Sequence, residues 1–386
     1  MNYPAGGVEA VTSMLADYLV HHKRYEVVVF SKGIQKNLLT DQDKANIKFI
    51  QANNDDLFNE NVNQNNLINK INELKIDVII LPIFINFAFN KIKENTNAKI
   101  IFAYHSMPFY EIEHKKQLSL KKAATYSSLR RWYYVNYRLP KKLDDYRQYL
   151  KERFLSIHKI CDAFVVLCQP YQLFFERELQ LDDNSKIISI TNAIPPRISL
   201  APLGKKKQIL YMGRMTYHDK RIDRLIYIWK NIYKKFPDWE FVLVGDGEER
   251  ENLEQQAKNY GLERIYFYGA TSNPYEYYDN ASILCLSSQF EGVPLVLLEA
   301  QQSGVIPIAF NCAAGVESVL SPNWENGVLI EDFSMAEYEN ALCQLMSDVS
   351  LRQQIQQNII NKAKEYDIRM IGDRWHELFS RLVTSS

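Results

Sequence analysis

The stretch Ser287-Ser288-Gln289-Phe290-Glu291-Gly292-Val293-Pro294-Leu295-Val296-Leu297-Leu298-Glu299-Ala300-Gln301-Gln302-Ser303-Gly304 decides how the chain is read. It follows an apolar run, Ser282 to Leu286, turns at Glu291-Gly292 and enters a helix at Pro294, because proline suits the first helical position, where its missing N–H is not needed. A helix that begins there points its free amides at whatever lies beyond the strand end, an arrangement suited to a phosphate. Glu291 falls in the loop and Glu299 about a turn and a half into the helix, so the two carboxylates address different parts of one extended ligand. They are not a closely spaced hydrolytic pair.

Outward from this stretch, short β-branched runs alternate with longer helical patterns, the mark of an α/β protein with parallel sheets. In the second half the strands are expected at Gln208 to Met212, Glu240 to Val244, Arg264 to Tyr268, Ser282 to Leu286 and Ile306 to Ala309. In the first half they are expected at Glu26 to Phe30, Ile47 to Ile50, Val78 to Leu81, Ile100 to Tyr104 and Ala163 to Leu167. Val8, Val11, Leu15 and Leu19 recur at helical spacing, so Gly6-Gly7 opens a helix. Two such units imply two Rossmann-like domains facing across a cleft, with the default ligand site at the carboxyl ends of the strands. Ile194-Pro195-Pro196 and Pro202-Leu203-Gly204 interrupt both patterns. The expected domains are therefore 1–198 and 199–367, followed by a terminal helix over 368–386, where Ile368, Ile371, Trp375, Leu378 and Leu382 keep helical spacing.

The 386 residues exceed one comfortable core and suit two domains. A content of 46% hydrophobic, 24% charged and 12% aromatic residues is that of a folded globular chain. The 46 Lys+Arg balance 46 Asp+Glu, which argues against a dedicated nucleic-acid binder. Five cysteines without C-x-x-C or Cys/His ligand spacing indicate neither a disulfide framework nor a zinc site. The N-terminus lacks the basic-then-apolar order of a signal peptide. The longest apolar stretch, Val78 to Phe89, contains Pro82 and Asn86 and is too short to span a bilayer. A soluble cytoplasmic protein is expected, with membrane contact only at its surface.

One segment departs from the alternation. Ser106 to Ile160 holds 13 Lys/Arg, from Lys115 to Lys159, against five acids (Glu111, Glu113, Asp144, Asp145 and Glu152). Trp132, Tyr133, Tyr134, Tyr137, Tyr146 and Tyr149 are interleaved with them. This basic helical insertion reads either as a solvated face packing its aromatics on the first domain, or as a surface for anionic lipid head groups or a phosphorylated acceptor. Nucleic acid is the least favoured partner.

The opening stretch resembles the E-x7-E signature of the retaining, GT-B-fold glycosyltransferases of family 4, and further marks of that family follow in order over nearly the whole chain. Gly6-Gly7-Val8-Glu9 resembles its G-G-x-E loop, and His105 in Tyr104-His105-Ser106-Met107 its donor-site histidine. Asn192 matches the Asn of the interdomain segment, with Ala193 in place of the usual Gly. Gly213-Arg214 followed by Lys220 resembles the diphosphate motif, and Leu243-Val244-Gly245-Asp246-Gly247 and Phe267-Tyr268-Gly269 match the strands that follow.

The resemblance implies transfer of a sugar from a UDP- or GDP-sugar to a glycan or lipid-linked acceptor, in cell-surface polysaccharide or lipopolysaccharide biosynthesis. Arg214 and Lys220 would neutralise the leaving diphosphate without a metal ion, and no D-x-D motif is present. Glu299 would accept from the ribose hydroxyls. Glu291 would contact hydroxyls of the donor sugar, and His105 would make a donor-sugar contact of its own. Amides near Gly292, Val293 and Leu295 would meet the phosphate or sugar, and Gly6, Gly7 and Gly213 would let the backbone approach closely. The backbone around Tyr268 would meet the base, and the final helix would cross back to the first domain. No cofactor beyond the nucleotide sugar is implied. Family members carry an apolar strand ahead of the Gly-Gly loop, whereas this chain starts at the loop itself; an impaired donor-binding subunit of a transferase complex is therefore an alternative. A sugar-nucleotide epimerase of the same fold is another. A nicotinamide oxidoreductase would need a G-x-G-x-x-G turn after its first strand, and neither half opens with one.

Overall fold

The computed structural model describes residues 2–3, 6–31, 33–34, 39, 47–51, 62–82, 89–181, 186–197 and 204–384. The expected boundary at 198, the Pro202-Leu203 part of the linker and residues 83–88 of the long apolar stretch lie outside them. The chain divides into two compact units, Met1–Pro196 with Asp367–Ser386, and Arg197–Tyr366.

In the first unit, β1 (Asn2–Tyr3) precedes the helix Gly7–Lys23. The expectation of a chain without a strand ahead of the Gly pair is thereby corrected. This strand of two residues pairs parallel with β3 (Gly33–Ile34), while β2 (Val27–Ser31) pairs with β4 (Ile47–Gln51). A four-stranded parallel sheet follows in chain order: β5 (Val78–Leu81), β6 (Lys99–Tyr104), β7 (Ala163–Val166) and β8 (Ile187–Ser189).

β6 reads as a continuous apolar run because it is covered on both faces. Ile101 and Ala103 face one core with Leu15 and Tyr18 of the first helix and Ile371, Trp375 and Phe379 of the last, Ile368–Thr384. Phe102 and Tyr104 point the other way, as the pleat requires, into an aromatic cluster. Its ring centroids lie 5.0 Å apart for Phe102–Phe164, 5.3 Å for Tyr104–Phe154 and 4.8 Å for Phe154–Phe175. The last helix is fitted closely: a Cβ added at Gly372 would lie 2.2 Å from Tyr18 Cδ1, and the Tyr18 hydroxyl donates to Asp373 at 2.7 Å.

The basic segment of this unit is helical over Tyr110–Ala123, Ser128–Tyr133 and Leu139–Ile160, with a π-helical turn at Tyr134–Arg138. Phe154 and Leu150 bury into the unit, but Trp132, Tyr133, Tyr137 and Tyr149 are exposed. The reading of a face that packs its aromatics on the first domain is corrected for these four; on the long helix, which carries Tyr149, the buried side is filled by Leu150, Phe154 and Ile157.

The second unit is one parallel sheet of β9 (Gln208–Met212), β10 (Glu240–Val244), β11 (Ile265–Tyr268), β12 (Ile283–Leu286), β13 (Ile306–Phe310) and β14 (Val328–Ile330). Its spatial order is β11-β10-β9-β12-β13-β14. The helix Ile222–Ile232 buries Ile222, Leu225, Ile226, Trp229 and Ile232 on one stripe against it. The order reverses direction between β9 and β12, the point at which open α/β sheets leave a crevice for ligands. β8 and β14 were not anticipated; each is only three residues long.

Candidate functional site

The crevice is built by the loops that leave β9 and β12, neighbours through Ile283↔Ile209 and Leu284↔Leu210. The loops are laced together by backbone and hydroxyl groups. The Gln289 amide donates to the Asp219 carbonyl at 2.7 Å, and Ser287 Oγ donates to the Lys220 carbonyl at 2.9 Å. This lacing brings together two residues 71 positions apart: Lys220 Nζ donates to Glu291 Oε1 at 2.6 Å. Ser288 Oγ donates to the same oxygen at 2.6 Å. The side chains of Lys220 and Glu291 are 18% and 11% exposed, so removing either would leave an occluded, uncompensated charge. Arg214 differs. Its side chain is 75% exposed, 3.6 Å from Asp219 Oδ2, and open to an incoming anion.

Glycines fix the floor of this loop pair. The Gly213 amide donates to the Val244 carbonyl at 3.0 Å, and the Met215 amide to the Asp246 carbonyl at 2.8 Å, so the turns after β9 and β10 interlock. Gly245 has φ 137°, and a Cβ there would lie 1.9 Å from the Gly213 carbonyl oxygen. Only glycine lets these backbones approach so closely. The Gly245 amide donates to the Tyr268 and Gly269 carbonyls at 3.2 and 3.1 Å. Tyr268 is the last residue of the edge strand, its ring 45% exposed and 5.6 Å from that of Tyr277.

The helix after β12 runs Leu295–Gln302. Pro294 is therefore its N-cap and not its first residue, because its ψ of 123° is extended. Val293 is buried, and Leu295 supplies the first helical amide. Glu299 accepts from the Tyr278 hydroxyl at 2.8 Å. Burial raises the Glu299 pKa above the ordinary carboxylate range, while the Tyr278 hydrogen bond opposes the rise.

In the first unit, His105 follows β6 and its Nδ1 lies 3.3 Å from Asn192 Oδ1. An amide oxygen only accepts, so Nδ1 carries the proton. Burial lowers the His105 pKa to about 4, against the Asn192 hydrogen bond, which raises it. The imidazole is neutral near pH 7 and Nε2 is an acceptor. Gly6 caps the first helix with φ 150°, and a Cβ there would lie 2.6 Å from Glu9 Oε2. The buried Glu9 thus covers the start of that helix with a carboxylate. Gly7, the first helical residue, is exposed.

The structure also shows residues that sequence reasoning missed. Arg224 donates to Gln289 Oε1 at 2.6 Å and to the Ser287 carbonyl at 3.2 Å, holding the loop that carries Glu291. In sequence it is one more basic residue on a helix face. Asp219, bonded to Thr216 and facing Arg214, gave no signal either. Tyr278 lies among the tyrosines before β12, and only the sheet order reveals its meeting with Glu299.

Residues 197–362 match the family described as glycosyl transferases group 1. An uncharacterized glycosyltransferase of Haemophilus influenzae is 34% identical over 218 residues, covering 56% of this chain and 60% of the relative. The amylovoran biosynthesis glycosyltransferase AmsD of Erwinia amylovora is 30% identical over 177 residues, 46% of this chain and 49% of the relative. The chain thus spans between half and three fifths of these two relatives. A solved glycosyltransferase of Rickettsia africae ESF-5 superposes with TM-score 0.73 at 17% identity, covering 100% of this chain and 98% of that one. Curated relatives include glycosyltransferases named for cell-surface polysaccharide and lipopolysaccharide synthesis. Some solved structural neighbours are complexes with UDP, among them the pneumococcal O-GlcNAc transferase GtfA and HepE of Anabaena. The fold is that of the GT-B glycosyltransferases, two Rossmann-like domains.

Proposed function

We propose that the chain transfers a sugar from a UDP- or GDP-sugar to a glycan or lipid-linked acceptor, with retention of anomeric configuration and without a metal ion, in cell-surface polysaccharide or lipopolysaccharide synthesis. The observation that carries this reading is the Lys220–Glu291 pair at the β9/β12 switch point with Arg214 open beside it. As the bond from the anomeric carbon to the diphosphate oxygen breaks, negative charge grows on that oxygen. Fixed cations placed beforehand stabilise such charge better than water can. Lys220 has two further ammonium hydrogens beyond the one on Glu291, and Arg214 offers a guanidinium fork suited to phosphate oxygens.

Glu291, oriented by the hydrogen bonds from Lys220 and Ser288, is the acceptor for donor-sugar hydroxyls. Glu299 takes the ribose hydroxyls, and Gly292, Val293 and Leu295 bring backbone to the phosphate or sugar. Gly213 and the backbone at Tyr268 frame the nucleotide. In the first unit His105 is the proposed sugar contact, through an Nε2 that accepts from a hydroxyl. The Gly6-Gly7 helix start is the proposed phosphate contact, and Glu9 tempers its appeal to an anion. In the same-face mechanism that the resemblance implies, the acceptor oxygen bonds to the anomeric carbon as the phosphate leaves, and the phosphate takes the acceptor proton. The cationic, aromatic surface of the basic segment supports a cytoplasmic place at the inner face of a membrane.

Nucleotide release from a panel of UDP- and GDP-sugars tests the reading, with Glu291→Ala and Arg214→Ala alongside. Release from one donor, lost in both variants, is expected. Tight nucleotide binding without release from any donor would favour the donor-binding subunit instead.

A further inference from the structure

The basic segment lines an open pocket of about 380 Å³, within the range of small-molecule sites, about 300–1,000 Å³. Lys115 and Lys122 reach it from the helix Tyr110–Ala123, where positions seven apart share a face. Arg138 and Lys142, four apart, reach it from the π-helical turn and the start of the long helix. Tyr126 and Tyr134 wall it, their rings edge to face at 5.6 Å. No acid lines it. Among the described residues, none of these four cations has an ion-pair partner.

Two acids of the helix that carries Lys115 and Lys122 are engaged with other groups: Glu113 with Lys116 at 3.6 Å, and Glu111 with the Tyr104 hydroxyl at 3.2 Å. Lys115 rests over the Tyr146 ring at 3.4 Å, and both burial and Lys142 lower its pKa. Four cations gathered without a counter-charge repel one another, and π-helical turns are frequent at functional sites.

We propose that this cavity is a binding site for a phosphate or diphosphate group, held by Lys115, Lys122, Arg138 and Lys142 with hydroxyl help from Tyr126 and Tyr134. The site does not depend on the glycosyltransferase reading. A tetrahedral anion would relieve the mutual repulsion of the four cations and accept charge-assisted hydrogen bonds from all of them.

Isothermal titration of the full chain with inorganic pyrophosphate tests it. The titration is run in an Arg214→Ala/Lys220→Ala background, so that the donor site does not contribute and the two readings fail separately. Two double variants carry equal charge loss: Lys122→Gln/Lys142→Gln in the cavity, and Lys121→Gln/Lys141→Gln on the neighbouring helix faces. Saturable binding, weakened at least about tenfold in the cavity pair and unchanged in its control, is expected. Unchanged circular dichroism melts show that both variants fold. No saturable binding, or equal weakening in both variants, overturns the proposal.

Flotation with phosphatidylglycerol or phosphatidylcholine vesicles then identifies the source. Flotation on the anionic vesicles alone, competed by pyrophosphate and lost only in the cavity pair, assigns the group to a lipid headgroup. Pyrophosphate binding without flotation assigns it to a soluble phosphate ester. Flotation that both double variants lose equally counts against the cavity.

Discussion

Gly245→Ala probes the frame of the proposed donor site with one methyl group. At φ 137° an L-residue is strained, at about 1–3 kcal/mol. The new Cβ would also start 1.9 Å from the Gly213 oxygen and 2.9 Å from its carbonyl carbon. A carbon and an oxygen need ~3.2 Å, so one of the backbones retreats by more than ~1 Å, at a further ~1–3 kcal/mol for overpacking. A total near 3 kcal/mol lowers the melting temperature of a unit of this size by about 6–12 °C. The retreat has a second consequence. Gly213 leads into Arg214 and the turn that places Lys220, and a misplacement of ~1 Å costs on the order of 100-fold in rate. The assay is nucleotide release at a temperature well below either melt. Gly204→Ala, with nothing within 4 Å of the added Cβ, serves as control. A Gly245→Ala protein with unaltered melting and release would refute the reasoning.

Tyr278→Phe removes the hydroxyl that holds the Glu299 pKa down, so that pKa rises further. If Glu299 holds the ribose hydroxyls as proposed, nucleotide affinity falls off at higher pH than in the wild type; titrations from pH 7 to 5 in which both limbs coincide would count against it. His105 has a folded pKa of about 4 against 6.5, so the unfolded chain binds the extra proton in that window and stability falls as pH drops through it. Between pH 7 and 5 the loss is about 2 kcal/mol, read as a denaturant-midpoint shift that His105→Gln should abolish. Trp375→Ala opens the first unit's core beside Phe379 and should cost about 3–5 kcal/mol; an unchanged melt would show that the last helix does not support that unit.

The strands best read from sequence were those buried on both faces, such as β6 and β13, where burial leaves a continuous apolar run. β8 and β14 escaped because three residues carry no period, and β14 is hemmed by Gly327 and Glu331. Pro294 is legible as a helix start but not as the N-cap, since its fixed φ suits both the N-cap and the first turn, and only ψ separates them. Arg214, Lys220, Glu291 and Glu299 stood out individually through their glycine and proline neighbours. The contacts between them did not, because a meeting across 71 residues follows from which strands are adjacent. Arg224 and Tyr278 became visible only once those loops were set side by side.

The central proposal is that the β9/β12 crevice holds a nucleoside diphosphate through Lys220 and Glu299. Isothermal titration of UDP and GDP into wild type, Lys220→Ala and Glu299→Ala measures this directly. Saturable binding of one nucleotide is expected, weakened about tenfold or more in each variant, the effect of losing one charge-assisted contact. No binding of either nucleotide, or binding that both substitutions leave unchanged, would contradict it.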